Sequence, residues 1–290
     1  MAKKTKGIKP SPSSQWHVKC GDALERMRKL PYGTVDLCIH DPPYNIGYPG
    51  YASYNDNKPA AAYFGWYRDM LAGIKRSLSP TGQLWIFAPD ESVSEIDIMC
   101  RNEFGLFKRN HCIWGMGFGV HCEKKFSRGH VHILNFTVHK TKFTFNADAV
   151  RVPSDRQAIY GDKRAVAGGK TPSNVWVLTR AEMDKVLPLN GDVWYESRIC
   201  GTFGERKNHC PNQIPLLILQ RIISATSNPG DLVMDPCAGT FSTGAAAIGL
   251  GRRFVGFDID PVSAQEGEKR LQTAQAAKDK PDDQLKLFRE

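Results

Sequence analysis

The chain has 290 residues, of which 41% are hydrophobic and 24% charged, ordinary globular usage that excludes a largely disordered protein. Its formal net charge of +9 favours an anionic partner without choosing among nucleic acid, acidic protein and membrane surface. No apolar run approaches the roughly 20 residues that span a bilayer, and the basic start from Met1 to Lys9 has no apolar stretch behind it. The expectation is therefore a cytoplasmic protein with no membrane partner. The eight cysteines include no C-x-x-C pair, and several sit inside apolar runs, which fits free thiols in a reducing compartment.

Residues 1–15 are rich in Lys, Pro and Ser and read as a flexible basic tail. Val35 to Ile39 is a short apolar run that reads as a buried parallel strand ending at Asp41-Pro42-Pro43-Tyr44. The Gly-, Pro-, Asn- and Tyr-rich stretch 45–62 reads as a mobile loop. Tyr63, Tyr67, Met70, Leu71, Ile74 and Leu78 then recur at helical spacing. Pro80-Thr81-Gly82 is expected to stop that helix before a strand at Gln83 to Phe87. A helix at 92–102 and strands at 110–115 and 133–139 continue the alternation. From about 143 to 195 the pattern loosens and turns basic, as in a segment inserted into an alternating chain. Order returns with a helix at 215–225, a turn at 228–231, a strand at 232–234, a helix near 242–250, a strand at 253–257 and a helix near 262–277. A charged tail closes the sequence at 278–290. This alternation predicts an α/β fold with a doubly wound, mostly parallel sheet, whose ligands sit beyond the C-terminal strand ends. Segments 41–44 and 235–243 both fall at that edge.

Between residues 232 and 258 a strand runs into Asp235-Pro236-Cys237-Ala238-Gly239-Thr240-Phe241, a helix follows, and a second strand ends at Asp258. An acid at the tip of the second strand of a βαβ unit can accept hydrogen bonds from both ribose hydroxyls. The turn has neither G-x-G-x-x-G nor the Walker pattern, which argues for a nucleoside without a pyrophosphate. The alternative is an ordinary strand–helix–strand in which Asp258 only caps backbone. In Asp41-Pro42-Pro43-Tyr44, two prolines in series remove two backbone donors and leave carbonyls free as acceptors. A carboxylate beside a free carbonyl suits an exocyclic amine, which offers two N–H bonds, and Tyr44 offers a flat face for a base. The alternative is a proline-rich turn with a surface tyrosine.

The DPPY tetrapeptide followed much later by an Asp-Pro-x-Ala-Gly turn resembles the amino-methylating DNA methyltransferases, and the order of the two motifs resembles their β class. The similarity covers most of 17–272. It implies a Rossmann-like methyltransferase fold, S-adenosylmethionine as cofactor and no metal, and double-stranded DNA as partner. The nucleotide is rotated out of the stack, and the exocyclic amine attacks the methyl group. The catalytic residues implied are Asp41, Pro42 and Tyr44. Val18 to Ala23 resembles the family's lead-in to the catalytic strand and places Asp22 and Ala23 at the cofactor. His209 to Pro215 resembles the segment that contacts the cofactor's methionine end and contributes Gln213. The remaining cofactor contacts implied are Asp41, Asp235, Cys237, Ala238, Gly239, Thr240, Phe241 and Asp258. A first residue of Asp leans towards adenine N6, with cytosine N4 as the alternative under the same mechanism. An RNA or protein amide methyltransferase and a non-catalytic DNA-binding module are the other readings. The resemblance also allows a homodimer, a cognate restriction endonuclease, and a nucleoid-associated protein of prokaryotic or phage origin.

Two departures stand out. Phe241 replaces the second glycine of the family's turn, so the turn differs or the ring packs on the cofactor. The 209–215 segment carries an extra residue and lacks the family's lysine. The chain then divides into a catalytic half at 16–142, a target-recognition insert at 143–195 and a cofactor-binding half at 196–277. Arg151, Arg156, Lys163, Arg164, Lys170 and Arg180 are the insert's candidate DNA contacts. His111-Cys112, His121-Cys122, His130 and His132 cluster within 22 residues and could ligate zinc. Their spacing matches no common finger, and adjacent residues on a strand face opposite ways, so no metal is expected.

Overall fold

A computed structural model describes residues 15–51, 53–115, 122–124, 126–152, 154, 156, 160–166, 168–176, 206–207 and 212–279. Among these, eight strands form one sheet in the order β1-β8-β7-β2-β3-β5-β4-β6. The strands are β1 (Trp16–Cys20), β2 (Val35–His40), β3 (Leu78–Ala88), β4 (Phe107–Gly115), β5 (His130–Thr137), β6 (Val175–Trp176), β7 (Leu232–Asp235) and β8 (Arg253–Asp258). All neighbours pair parallel except β5, which runs against both β3 and β4. The expected doubly wound, mostly parallel α/β sheet is therefore present.

Strand side chains alternate in direction, so a sheet buried on both faces needs apolar residues at odd and even positions alike. On β2 and β3, Cys38, Leu84, Ile86 and Ala88 join one core with Met27, Tyr67, Met70 and Ile96. Leu37, Ile39, Trp85 and Phe87 join the other with Ile218, Ile222, Ala247 and Leu271. The helices on the first face are α1 (Ala23–Arg28), α2 (Ala60–Ser77) and α3 (Val93–Ile98). Those on the second are α4 (Leu216–Thr226), α5 (Ser242–Gly249) and α6 (Pro261–Lys278).

Two local expectations change. The turn expected at Pro80–Gly82 lies inside β3, where the register steps between Val35↔Leu78 and Leu37↔Gln83. A Cβ on Gly82 would sit 2.9 Å from the Val35 carbonyl oxygen, so only glycine fits this step. The helix expected at 92–102 is α3 followed by a wider π turn at Met99–Glu103.

The adjacent parallel pair β2 and β7, with Leu37 opposite Val233 and Cys38 opposite Met234, is where the chain's winding reverses. From β2 the chain proceeds to β3 on one side, while β7, β8 and β1 lie on the other. Strand ends diverge at such a switch point and leave a crevice.

Candidate active site

A cavity of about 350 Å³ opens at this switch point. Asp41, Pro42, Pro43 and Tyr44 line it from the tip of β2, Asp235 to Thr240 from the turn after β7, and Asp258 from the tip of β8. The tips of β2, β7 and β8 are successive, so Asp41 and Asp258 stand two strand spacings apart, about 10 Å. The tetrapeptide and the nucleoside-type turn share one cavity.

The Tyr44 hydroxyl donates to Asp41 Oδ1 at 2.8 Å. Burial pushes the Asp41 carboxyl up to about 7, opposed in part by the Tyr44 hydroxyl and helped by a lesser push from the Asp235 charge. Asp235 is raised to about 7 for the same first reason. It is buried, and its two oxygens accept the Cys237 N–H at 3.1 Å and the Thr243 hydroxyl at 2.7 Å.

Asp258 holds the far wall together. Oδ2 accepts the Gly239 N–H at 2.7 Å and Oδ1 accepts the Asp260 N–H at 2.9 Å. An ionised carboxylate has about four acceptor positions, so two remain for a pair of ligand hydroxyls. The Gly21 N–H donates to the Asp258 carbonyl at 2.8 Å, which sets Asp22 and Ala23 beside the cavity. The Asp22 carboxylate caps α1 by accepting the Glu25 N–H at 3.0 Å. The upward shift of the Asp258 carboxyl again follows from burial.

Phe241 adopts φ +58 and ψ +29, the left-handed region, at the N-cap of α5. Its ring is not in the cavity wall. It is fully buried in the second core, 6.3 Å from the Phe254 ring, and a Cβ on Gly256 would come within 2.8 Å of it. Of the two outcomes expected for this residue, the ring packing on the cofactor is thus not what the geometry supports. Gln213 is also set back from the wall: its Oε1 accepts the Lys207 N–H, while its neighbours Asn212 and Ile214 line the cavity.

The loop after the tetrapeptide carries residues that the sequence reading missed. Asp56, buried, accepts the N–H groups of Asn45, Ile46 and Tyr48 at 2.7, 3.2 and 3.0 Å. Asn45, at φ +58, exchanges hydrogen bonds with the Lys58 backbone. This loop, read from the sequence as mobile, is closed on itself by these hydrogen bonds. It roofs the cavity with Tyr51, Ser53, Tyr54 and Lys58, and it reaches across by Ser53 to Asp260 (3.0 Å) and Asn212 to Tyr51 (3.2 Å). The signal was a lone Asp in a run of Asn, Gly and Pro, where carboxylates commonly organise backbone donors.

Three of the insert's candidate basic residues, Arg151, Arg156 and Arg164, have partners within the segment. Arg151 donates to Asp148 and to the Gly169 carbonyl, and Arg156 and Arg164 converge on Asp162. These hydrogen bonds hold the Asp162 carboxyl well below the usual range. Lys163 is exposed, and Lys170 bridges by its backbone to Val152. Arg180 lies outside the described residues. The segment returns to the sheet edge as β6, beside β4.

Of the histidine and cysteine cluster, His111, His130 and His132 come together, whereas Cys112 is buried in the second core. His121 lies outside the described residues.

A doubly wound sheet with an acidic, nucleoside-sized crevice at its switch point defines an α/β protein of the kind that binds a nucleoside ligand beside a second reactant. A family model for DNA methylases of the N6/N4 type matches residues 35–269, and the chain belongs to that family. The DNA adenine methyltransferase YhdJ of Escherichia coli (strain K12) is 34% identical over 256 residues, covering 88% of this chain and 82% of that protein. The Type II methyltransferase M.HpaI of Haemophilus parainfluenzae is 30% identical over 267 residues, covering 92% and 77%. Among solved structures, the cytosine-N4-specific PvuII DNA methyltransferase superposes with a TM-score of 0.64 at 14% identity, over 91% of this chain and 94% of that one. The M1.HpyAVI–SAM complex gives 0.55 at 23% identity, over 88% and 100%. These two likenesses are of fold.

Proposed function

We propose that this DNA methylase transfers a methyl group from S-adenosylmethionine to the N6 amino group of an adenine turned out of double-stranded DNA. The observation that carries this reading is the single cavity shared by Asp41 to Tyr44 and by Asp235 to Asp258. The adenine assignment is supported by the Asp in the first tetrapeptide position and by the 34% identity to an adenine enzyme.

The cavity fits the cofactor. Asp258 has acceptor positions left for two ribose hydroxyls, and the Gly239 turn (φ +48) approaches without side-chain bulk. When bound, S-adenosylmethionine supplies an electrophilic methyl group on a sulfonium. Everything else is the work of the chain. Asp41, through the oxygen not taken by Tyr44, and the Pro42 carbonyl accept the two hydrogens of the amine. This draws the nitrogen lone pair out of ring conjugation and aims it towards the β7–β8 side of the cavity. Tyr44, tied to Asp41, presents its ring to the base. The carboxylate must be ionised to accept, which its raised pKa makes pH-dependent near neutrality. Positioning supplies most of the acceleration.

The basic segment 143–195 is assigned to target recognition, with Lys163 offering an exposed charge and Arg151, Arg156 and Arg164 each paired to an acid of the same segment. Partners beyond DNA, a second copy of the chain and a cognate restriction endonuclease, are part of the same proposal and are tested by sedimentation with and without DNA and by expression beside candidate nucleases.

The test is nucleoside mass spectrometry on DNA incubated with enzyme and isotopically labelled S-adenosylmethionine. N6-methyladenine is expected. N4-methylcytosine would overturn the base assignment, and label on RNA alone would overturn the substrate class.

A further inference from the structure

We infer that Asp90, His130 and His132 form a binding site for one divalent first-row transition ion, zinc being the ion to test. Asp90 follows the end of β3, and the two histidines open β5, two positions apart and so on the same face. Three ligand atoms converge. Asp90 Oδ1 lies 2.7 Å from His132 Nε2 and 3.0 Å from His130 Nε2, and the two nitrogens are 3.3 Å apart. None of the three lines the active-site cavity.

The triangle has the size a metal requires. An ion about 2.05 Å from each ligand atom, the usual zinc–nitrogen and zinc–oxygen length, would sit ~1.1 Å off the plane of these three atoms. That height is close to the ~1.2 Å of an octahedral face and above the ~0.7 Å of a tetrahedral one, so the triangle as it stands suits a six-coordinate ion, and a tetrahedral zinc requires the three atoms to open to about 3.3 Å from one another. Two imidazoles and a carboxylate are a donor set suited to zinc and to other divalent transition ions.

A further residue behaves as metal-bound histidines require. His132 Nδ1 is 2.8 Å from His111 Nε2, on the neighbouring strand. A ligating histidine commonly holds its other ring nitrogen in a hydrogen bond, which fixes the tautomer. With His132 Nε2 bound to a cation, its Nδ1–H donates to His111. The rings of His130 and His132 stand at 86°, so their convergence is edgewise, not a stack. Asp90's second oxygen faces Arg128 at 3.6 Å, which holds the carboxylate in place but opposes a cation in part. The site is half open: His132 is mostly buried, His130 is half-buried and Asp90 is exposed at the rim.

The ion would tie the segment after β3 to the start of β5, on the same sheet edge as the cavity. It supplies no chemistry to the amine.

The experiment uses the full chain without a histidine tag, stripped with a chelator and titrated with zinc chloride by calorimetry, with bound metal measured after dialysis. One equivalent is expected, with a Tm rise of about 4 °C at free zinc a hundredfold above Kd. Asp90→Ala and the double variant His130→Ala/His132→Ala are expected to lose it. Absence of binding to the wild type below about 10 µM, or full retention of zinc by the double variant, overturns the site. If the variants misfold, cobalt(II) on the wild type decides. Ligand-field bands without thiolate charge transfer support the assignment, and a thiolate charge-transfer band places the ion on cysteine and overturns it.

Discussion

Phe241→Ala tests how the cofactor turn is built. The ring is fully buried between Phe254, Gly256 and Gly267, and it contributes nothing to the cavity wall. Truncating such a ring costs about 3–5 kcal/mol through lost transfer energy and the space left behind. For 290 residues, at roughly 2 cal/mol/K of unfolding entropy each, that is a Tm loss of about 5–8 °C. Two further measurements distinguish this account from general damage. Phe241→Gly should be about 1 kcal/mol more stable than Phe241→Ala, because glycine adopts φ +58 freely and alanine does not. Gly267→Ala should be harmful in the wild type, where the new Cβ runs into the Phe241 ring, and much less so beside Phe241→Ala. Urea unfolding gives the stabilities and calorimetry the cofactor affinity, which should move less than about threefold since no wall atom is lost. A loss below about 1 kcal/mol, additive Phe241 and Gly267 effects, or a large drop in affinity without loss of stability would refute this placement of the ring.

Asp41→Ala is expected to abolish methyl transfer while leaving DNA binding, followed by anisotropy, within a few-fold; retained turnover would remove Asp41 from its role. Asp258→Ala is expected to weaken cofactor binding more than DNA binding, and to lower stability by about 2–4 kcal/mol because Gly239 and Asp260 lose a charged acceptor; equal losses for cofactor and DNA would count against the assignment. Asp56→Ala should cut turnover at least tenfold by releasing three N–H groups that shape the roof, with Asp56→Asn intermediate, and unchanged kinetics would show that the roof is dispensable. The carboxyls of Asp41 and Asp235 lie near 7, above their unfolded value, so folding favours their protonated forms, and the stability this gives is lost as pH rises towards 7. The cationic cofactor should reverse that preference: its affinity relative to the neutral demethylated thioether should rise between about pH 6 and pH 8, less so in Asp41→Asn, and a flat ratio would refute the charge assignment.

The parts of the site that the sequence revealed are those where chemistry restricts residue type at a strand end. Asp41-Pro42-Pro43-Tyr44 and Asp258 follow apolar runs, and a parallel sheet brings every such run's end to one edge, so their meeting follows from topology once the strands are recognised. Residues acting through unpatterned contacts were not legible. Asp56 is one acid in a polar loop, and its three N–H partners depend on the positive φ of Asn45, which no periodicity announces. Phe241 was visible as an anomaly, but whether its ring faces ligand or core depends on Gly256 and Gly267, 15 and 26 residues away, which make room for it. The histidines illustrate the same limit. Counted along the chain, His111-Cys112 looked like a pair, yet strand alternation sends Cys112 into the core and His111 towards His132. Asp90, which joins His130 and His132, belongs to a different strand end altogether. Chain spacing therefore identifies sites whose members share one loop, while sites assembled across antiparallel neighbours such as β3, β4 and β5 are defined by register. A one-residue slip of β5 against β3 would turn both His130 and His132 to the opposite face and dissolve the group.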